Sequence, residues 1–106
     1  QHDVLVTPTC PTTPEPVGTY NPDRPGRDID TIFADLAPKE TFSALFNGTG
    51  SPAMSLPLAW TPSGLPIGVQ FIARFGREEI LLRLGAVLEA EYAWSTKRPP
   101  VHVANG

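Results

Sequence analysis

Asn47-Gly48-Thr49-Gly50-Ser51-Pro52-Ala53-Met54-Ser55-Leu56-Pro57-Leu58-Ala59-Trp60-Thr61-Pro62-Ser63-Gly64-Leu65-Pro66-Ile67-Gly68-Val69-Gln70 is the stretch on which the fold turns. Met54, Leu56, Leu58 and Trp60 alternate with Ala53, Ser55, Pro57 and Ala59, a period of two that predicts a strand. Pro57 has no amide to donate, so it belongs at an edge or a bulge. Thr61-Pro62-Ser63-Gly64 reads as a turn, and 66–74 returns as a second strand with Ile67, Val69 and Phe71 on one side. The two strands make an antiparallel hairpin. Gly68 places almost nothing on the opposite face, which lets another segment approach its backbone closely.

Working outward, Asp3-Val4-Leu5-Val6-Thr7 is a short apolar run stopped by Pro8, as expected of an interior strand covered on both faces. The chain from about residue 8 to 27 is rich in Pro, Thr and Gly without periodicity and reads as a long surface loop of the kind that borders sites. Ile29, Ile32, Phe33 and Leu36 are spaced for one face of a short helix that Asp28 can cap. Pro38 opens a second helical segment with Phe42, Leu45 and Phe46 on one face, and Asn47-Gly48 is its expected left-handed stop. The strongest helix is 77–92: Ile80, Leu81, Leu84, Val87, Leu88 and Tyr92 form its stripe, and Glu78 and Glu79 favour its positive end. Residues from about 95 to 106 form a peripheral tail.

Composition bounds the function classes. With 106 residues the chain suffices for one small domain, which at this size buries about two-thirds of its unfolded surface. Thirteen Pro and nine Gly are more than a compact autonomous domain usually carries and favour a piece that wraps over a larger body. An apolar fraction of 41% with only 18% charged residues is too hydrophobic for a disordered tail. A net charge of -3 and the lack of any Lys/Arg stripe argue against nucleic acid as a partner. No apolar run approaches the roughly 20 residues that cross a bilayer, and no leader pattern is visible, so no membrane partner and a cytoplasmic location are expected. The lone Cys10 cannot form an internal disulfide.

Three blocks, Asp3-Val4-Leu5-Val6-Thr7-Pro8-Thr9, then Asn47 to Ala53 with Ser55 and Pro57, then Gly64-Leu65-Pro66-Ile67-Gly68-Val69-Gln70, resemble in order and spacing the C-terminal portion of amidase signature hydrolases. Glu78-Glu79-Ile80-Leu81-Leu82, Trp94 and Arg98-Pro99 extend the resemblance to that family's terminal helix and its exit. It implies an α/β fold, a mixed β-sheet covered by helices, to which 1–106 contributes as one segment a strand, a β-hairpin and a long terminal helix. It also implies hydrolysis of a carboxylic amide by a serine, a cis-serine and a lysine that lie in an upstream Gly/Ser-rich segment. No such segment occurs here, so no catalytic residue is assigned, and Lys39, Lys97, Ser51 and Ser55 take none of those roles. The implied partners are the remainder of the amidase polypeptide and a small-molecule amide, and the resemblance leaves room for a homodimer of the parent enzyme. No cofactor is implied. An A-type subunit of glutamyl-tRNA(Gln)/aspartyl-tRNA(Asn) amidotransferase and a non-catalytic remnant folding against a partner chain are the alternatives.

Pocket lining is the role the resemblance carries over. Thr7, Pro8 and Thr9 stand at the end of a sheet strand, where α/β proteins usually contact ligands. Glu40 lies where the glutamine-handling members carry an acidic substrate contact, and it equally suits a helix N-terminus. Phe42 and Phe46 either line an acyl pocket or pack the core. Elsewhere the bland readings prevail. Cys10 has no histidine near it in sequence, Glu78 and Glu79 point about 100° apart on a helix, and no His, Cys or acidic residues have metal-ligand spacing. Asn47-Gly48-Thr49 reads as a helix stop in preference to a glycosylation acceptor. Gly48-x-Gly50 leads into Pro52 and a strand, which a phosphate loop does not.

Overall fold

A computed structural model describes residues 2–102. The elements are β1 (Val4–Pro8), α1 (Ile29–Leu36), a 3-10 turn (Ala37–Glu40), α2 (Ala44–Thr49), β2 (Ala53–Trp60), β3 (Pro66–Ala73), α3 (Glu78–Tyr92) and a second 3-10 turn (Trp94–Thr96). The tail expected over 95–106 can be followed to residue 102, and 103–106 lie outside the described residues.

The hairpin forms as its alternation requires. β2 and β3 pair antiparallel from Ala53 opposite Ile72 to Trp60 opposite Pro66, and the register slips between Pro57 and Ala59, the bulge that a strand proline demands. Gly64 adopts φ 85° in the turn, where the Thr61 amide donates to the Leu65 carbonyl at 2.8 Å. β1 then pairs antiparallel with the other edge of β3, Val4 opposite Ala73 and Pro8 opposite Val69, giving the sheet order β1-β3-β2. The three strands among the described residues are therefore all antiparallel.

This order corrects the reading of β1 as an interior strand. β3 is the central strand, with Gln70, Phe71, Ile72 and Ala73 all buried, whereas among the described residues β1 bonds to β3 alone and leaves Leu5 and Val6 about half exposed. A continuous apolar run records what a strand would bury and is silent on which segment supplies the cover. The core lies on one face of the sheet, where Phe71, Ala73 and Leu81 are buried and Val4, Met54, Leu56, Val69, Leu84 and Leu88 pack around them. Gly85 on α3 faces Met54 closely: a Cβ there would stand 2.9 Å from the Met54 sulfur. The buried stripe of α3 is narrower than its periodicity, for Val87 and Tyr92 are exposed. Beyond α3, the Lys97 ammonium sits 3.9 Å from the Trp60 ring centroid and ties the tail to the end of β2.

The first helix of this half starts and ends where expected, at Ile29 and Leu36, and the second departs from its reading. Asp28 caps α1, its carboxylate accepting from the Thr31 amide at 2.9 Å and the Thr31 hydroxyl at 2.6 Å, which holds the carboxyl below its usual range. Of the α1 stripe, Ile29 and Phe33 are exposed and Ile32 and Leu36 half-buried. The second helical segment is split. A 3-10 turn follows α1 directly, and α2 runs through Gly48 to Thr49, so the left-handed stop is Gly50 at φ 69° and not Asn47-Gly48. Either glycine of Gly-x-Gly satisfies a stop signal, and the Thr49 hydroxyl, bonded to the Phe46 carbonyl at 3.3 Å, keeps the turn going past the first. The Pro-rich loop is a chain of tight turns, closed by Arg27, which pairs with Asp35 and reaches the Thr19 carbonyl.

Candidate functional site

In an antiparallel sheet, residues opposite one another share a face. The face of β3 turned away from α3 is polar where the strands cross: Thr7 lies opposite Gln70, which lies opposite Ser55. Gln70 is a buried amide. Its Nε2 donates to the Phe42 carbonyl at 3.2 Å and to the Thr7 hydroxyl at 3.4 Å, so one side chain joins the segment after the 3-10 turn to β1. Burying an amide costs free energy unless it is bonded, which makes this bridge a constraint on where residue 42 sits.

One step further along, β1 runs out beside Gly68. The Thr9 amide donates to the Gly68 carbonyl at 3.1 Å, and the Thr9 and Ser55 hydroxyls meet at 2.5 Å across the bare glycine. A Cβ on Gly68 would fall 2.7 Å from the Thr9 hydroxyl and 2.9 Å from that of Ser55. The close approach expected at this glycine is thus made by two side chains, Thr9 just past the end of β1 and Ser55 on β2.

Beyond Thr9 the chain lifts off the sheet and encloses an open groove of about 580 Å³ between the Pro-rich loop, the 3-10 turn and the start of β3. Its wall is mainly apolar, from Pro8, Pro11, Pro14, Pro66 and Ile67. Two charged residues line it, Glu15 and Lys39. The Lys39 ammonium donates to Glu15 at 3.2 Å and to the Thr12 hydroxyl at 2.8 Å. Glu15 above all, with Tyr20 assisting, holds that ammonium's pKa above its ordinary value.

Of the residues read as pocket-lining, Pro8 and Thr9 are on the groove wall, and Phe46 is half-buried off it. Thr7 is off the wall, accepting from Gln70, and Phe42 offers its backbone carbonyl to the same amide. Glu40 is exposed at the end of the 3-10 turn, next to Lys39, and is not among the groove's lining residues. Lys39, Glu15, Ser55 and Gln70 had no place in the sequence-based set. Ser55 and Gln70 carried a usable signal, as polar residues at alternate positions of otherwise apolar strands. Cys10 lines the groove as a free, exposed thiol. Among the described residues no group of three or more His, Cys, Asp or Glu could hold a metal ion, and no helix is long and apolar enough to cross a membrane.

Comparison with known proteins identifies relatives of this chain. The 6-aminohexanoate-cyclic-dimer hydrolase of Pseudomonas sp. is 37% identical over 101 residues, which is 92% of this chain and 20% of the relative. Putative amidase AmiC of Mycobacterium bovis is 37% identical over 99 residues, 93% of this chain and 20% of its own length. The A-type subunit of the glutamyl-tRNA(Gln) amidotransferase of Acidothermus cellulolyticus is 40% identical over 101 residues, 91% of this chain and 17% of its own. A solved structure of 6-aminohexanoate cyclic dimer hydrolase superposes with a TM-score of 0.79 at 35% identity, over 92% of this chain and 21% of that one. The chain thus spans about a fifth of the length of the curated relatives it matches. The family model described as Amidase matches residues 1–82, and with these relatives and this fold the chain belongs to the amidase family.

Proposed function

We propose that this chain is the C-terminal part of an amidase that hydrolyses a small aryl or alkyl carboxylic amide to its acid and ammonia or an amine. The serine, cis-serine and lysine of that acyl transfer belong to a part of the polypeptide outside these residues, and the segment completes the fold and one wall of the amide pocket. The observation that carries the reading is likeness over nine-tenths of the chain to proteins named as amidases and as a cyclic-dimer hydrolase, with an apolar groove at the end of β1. Pro8 and Thr9 contact the substrate directly. Thr7 and Phe42 act at one remove through Gln70, and Glu40, which stands off the groove wall at the end of the turn that carries Lys39, meets only a part of the ligand that projects beyond the groove. The test is ammonia or amine release from a panel of aryl and alkyl amides by the full polypeptide carrying this segment. Release is expected there and none from the 106 residues alone, and failure of the full polypeptide on every amide sinks the proposal.

A second reading has an observation of its own, the 40% identity to the A-type chain of a glutamyl-tRNA(Gln) amidotransferase. It requires release of ammonia from glutamine that rises when the partner chains and a charged tRNA are added. Glutamine hydrolysis without activity on aryl or alkyl amides would decide for it.

A further inference from the structure

The groove wall carries one cation and one anion, and they are bonded to each other. Lys39 comes from the 3-10 turn after α1 and Glu15 from the Pro-rich loop 24 residues earlier, so the pair arises from tertiary placement and not from helix spacing. The Lys39 side chain is 27% exposed and that of Glu15 39%, which leaves both within reach of a molecule in the groove. The rest of the wall offers prolines, Ile67 and the hydroxyls of Thr9, Thr12 and Thr13. We propose that the Glu15–Lys39 pair sets substrate choice in this groove, cancelling its one positive charge so that it admits amides with a neutral apolar body and disfavours those carrying a carboxylate. This rests on the reading of the groove as part of the amide pocket.

The discrimination is electrostatic. A carboxylate entering the groove meets a lysine whose charge Glu15 already satisfies, and it must either displace Glu15 or lie beside a like charge. A neutral acyl group meets no such opposition and gains from burial against the prolines. Specificity here comes from the repulsion that Glu15 contributes as much as from the apolar wall.

The experiment uses the full polypeptide and three matched amides that differ only in ending in a methyl, a carboxylate or an ammonium group. Glu15→Gln keeps a hydrogen-bond acceptor for Lys39 and removes the negative charge. It should raise kcat/KM for the carboxylate amide relative to the methyl amide about fivefold, mostly through KM. Lys39→Met leaves Glu15 unpaired and should shift preference toward the ammonium amide by a similar factor, which keeps the test alive if one variant fails to fold. The double variant should return both ratios close to wild type. Unchanged ratios in the single variants, with the methyl amide still hydrolysed, overturn the inference and leave the amidase reading standing. Absence of hydrolysis of all three amides by the wild type brings down both.

Discussion

Replacing Gly68 by alanine tests the central geometry of the site. The added methyl would sit 2.7 Å from the Thr9 hydroxyl oxygen, 2.9 Å from that of Ser55 and 3.0 Å from Thr9 Cβ. The two hydroxyl oxygens matter most, because they are the nearest atoms, each sits on a short side chain and they are bonded to each other, while Thr9 is itself bonded to the Gly68 carbonyl. Neither atom can swing away as the end of a long side chain would. Overpacking of this kind costs about 1–3 kcal/mol, and separating the two hydroxyls adds about 0.5–1 kcal/mol. Alanine's lower unfolded-state entropy offsets about 0.4–1 kcal/mol. The net expectation is a loss of about 1–3 kcal/mol. A double-mutant cycle with Thr9→Ala, read by urea unfolding of the full polypeptide, isolates the cause. Thr9→Ala removes the nearest oxygen, so Gly68→Ala should cost at least about 1 kcal/mol less in that background. Additive effects within about 0.5 kcal/mol would show that Thr9 does not lie over Gly68 and would refute the reasoning.

Three further outcomes follow from the same principles. Gly85→Ala also places a Cβ 2.9 Å from a neighbour, but that neighbour is the Met54 sulfur on a flexible chain, and alanine gains about 0.5–1 kcal/mol in a helix interior; the urea midpoint should move by less than the equivalent of about 1 kcal/mol. Leu81→Ala empties the contact between α3 and the buried Phe71 and Ala73 and should cost about 2–5 kcal/mol by the same measurement, with a loss below about 1 kcal/mol arguing that α3 is not seated there. The Asp28 carboxyl is held below its ordinary pKa by Thr31, so its capping contribution is present above the ordinary aspartate range and is lost as pH falls through the lowered value; amide exchange at Thr31 and Ile32 should accelerate over that acidic interval in wild type and show no such step in Asp28→Asn.

What the sequence disclosed was what neighbours along the chain decide. The hairpin from Ala53 to Ala73 was legible because alternation, a proline that cannot pair and a Gly-bearing turn all act within a few residues. The Asp28 cap and α3 were legible for the same reason. The stop of α2 was misplaced by two residues because two glycines competed and only the hydroxyl of Thr49 distinguished them. The burial of β1 was misjudged because hydrophobicity fixes a demand for cover and not its source. The groove pair was out of reach altogether: nothing local to Glu15 or Lys39 foretells that a loop of prolines will bring them together. Gln70 bridging Thr7 and the Phe42 carbonyl is a contact of the same long-range kind.

The half-exposed edge strand has a practical consequence for anyone handling this segment. β1 presents a row of backbone donors and acceptors along its free side, with Leu5 and Val6 pointing to opposite faces of the sheet and no charged residue or bulge between Val4 and Pro8 to discourage pairing. Expressed by itself, the chain offers other copies a template on which sheets join edge to edge, and concentration should drive it toward assemblies rather than toward a dispersed monomer. A lysine at Val6 is the natural guard against this. It sets a charge in the middle of the adhesive strand while leaving the β3 side of the ladder untouched.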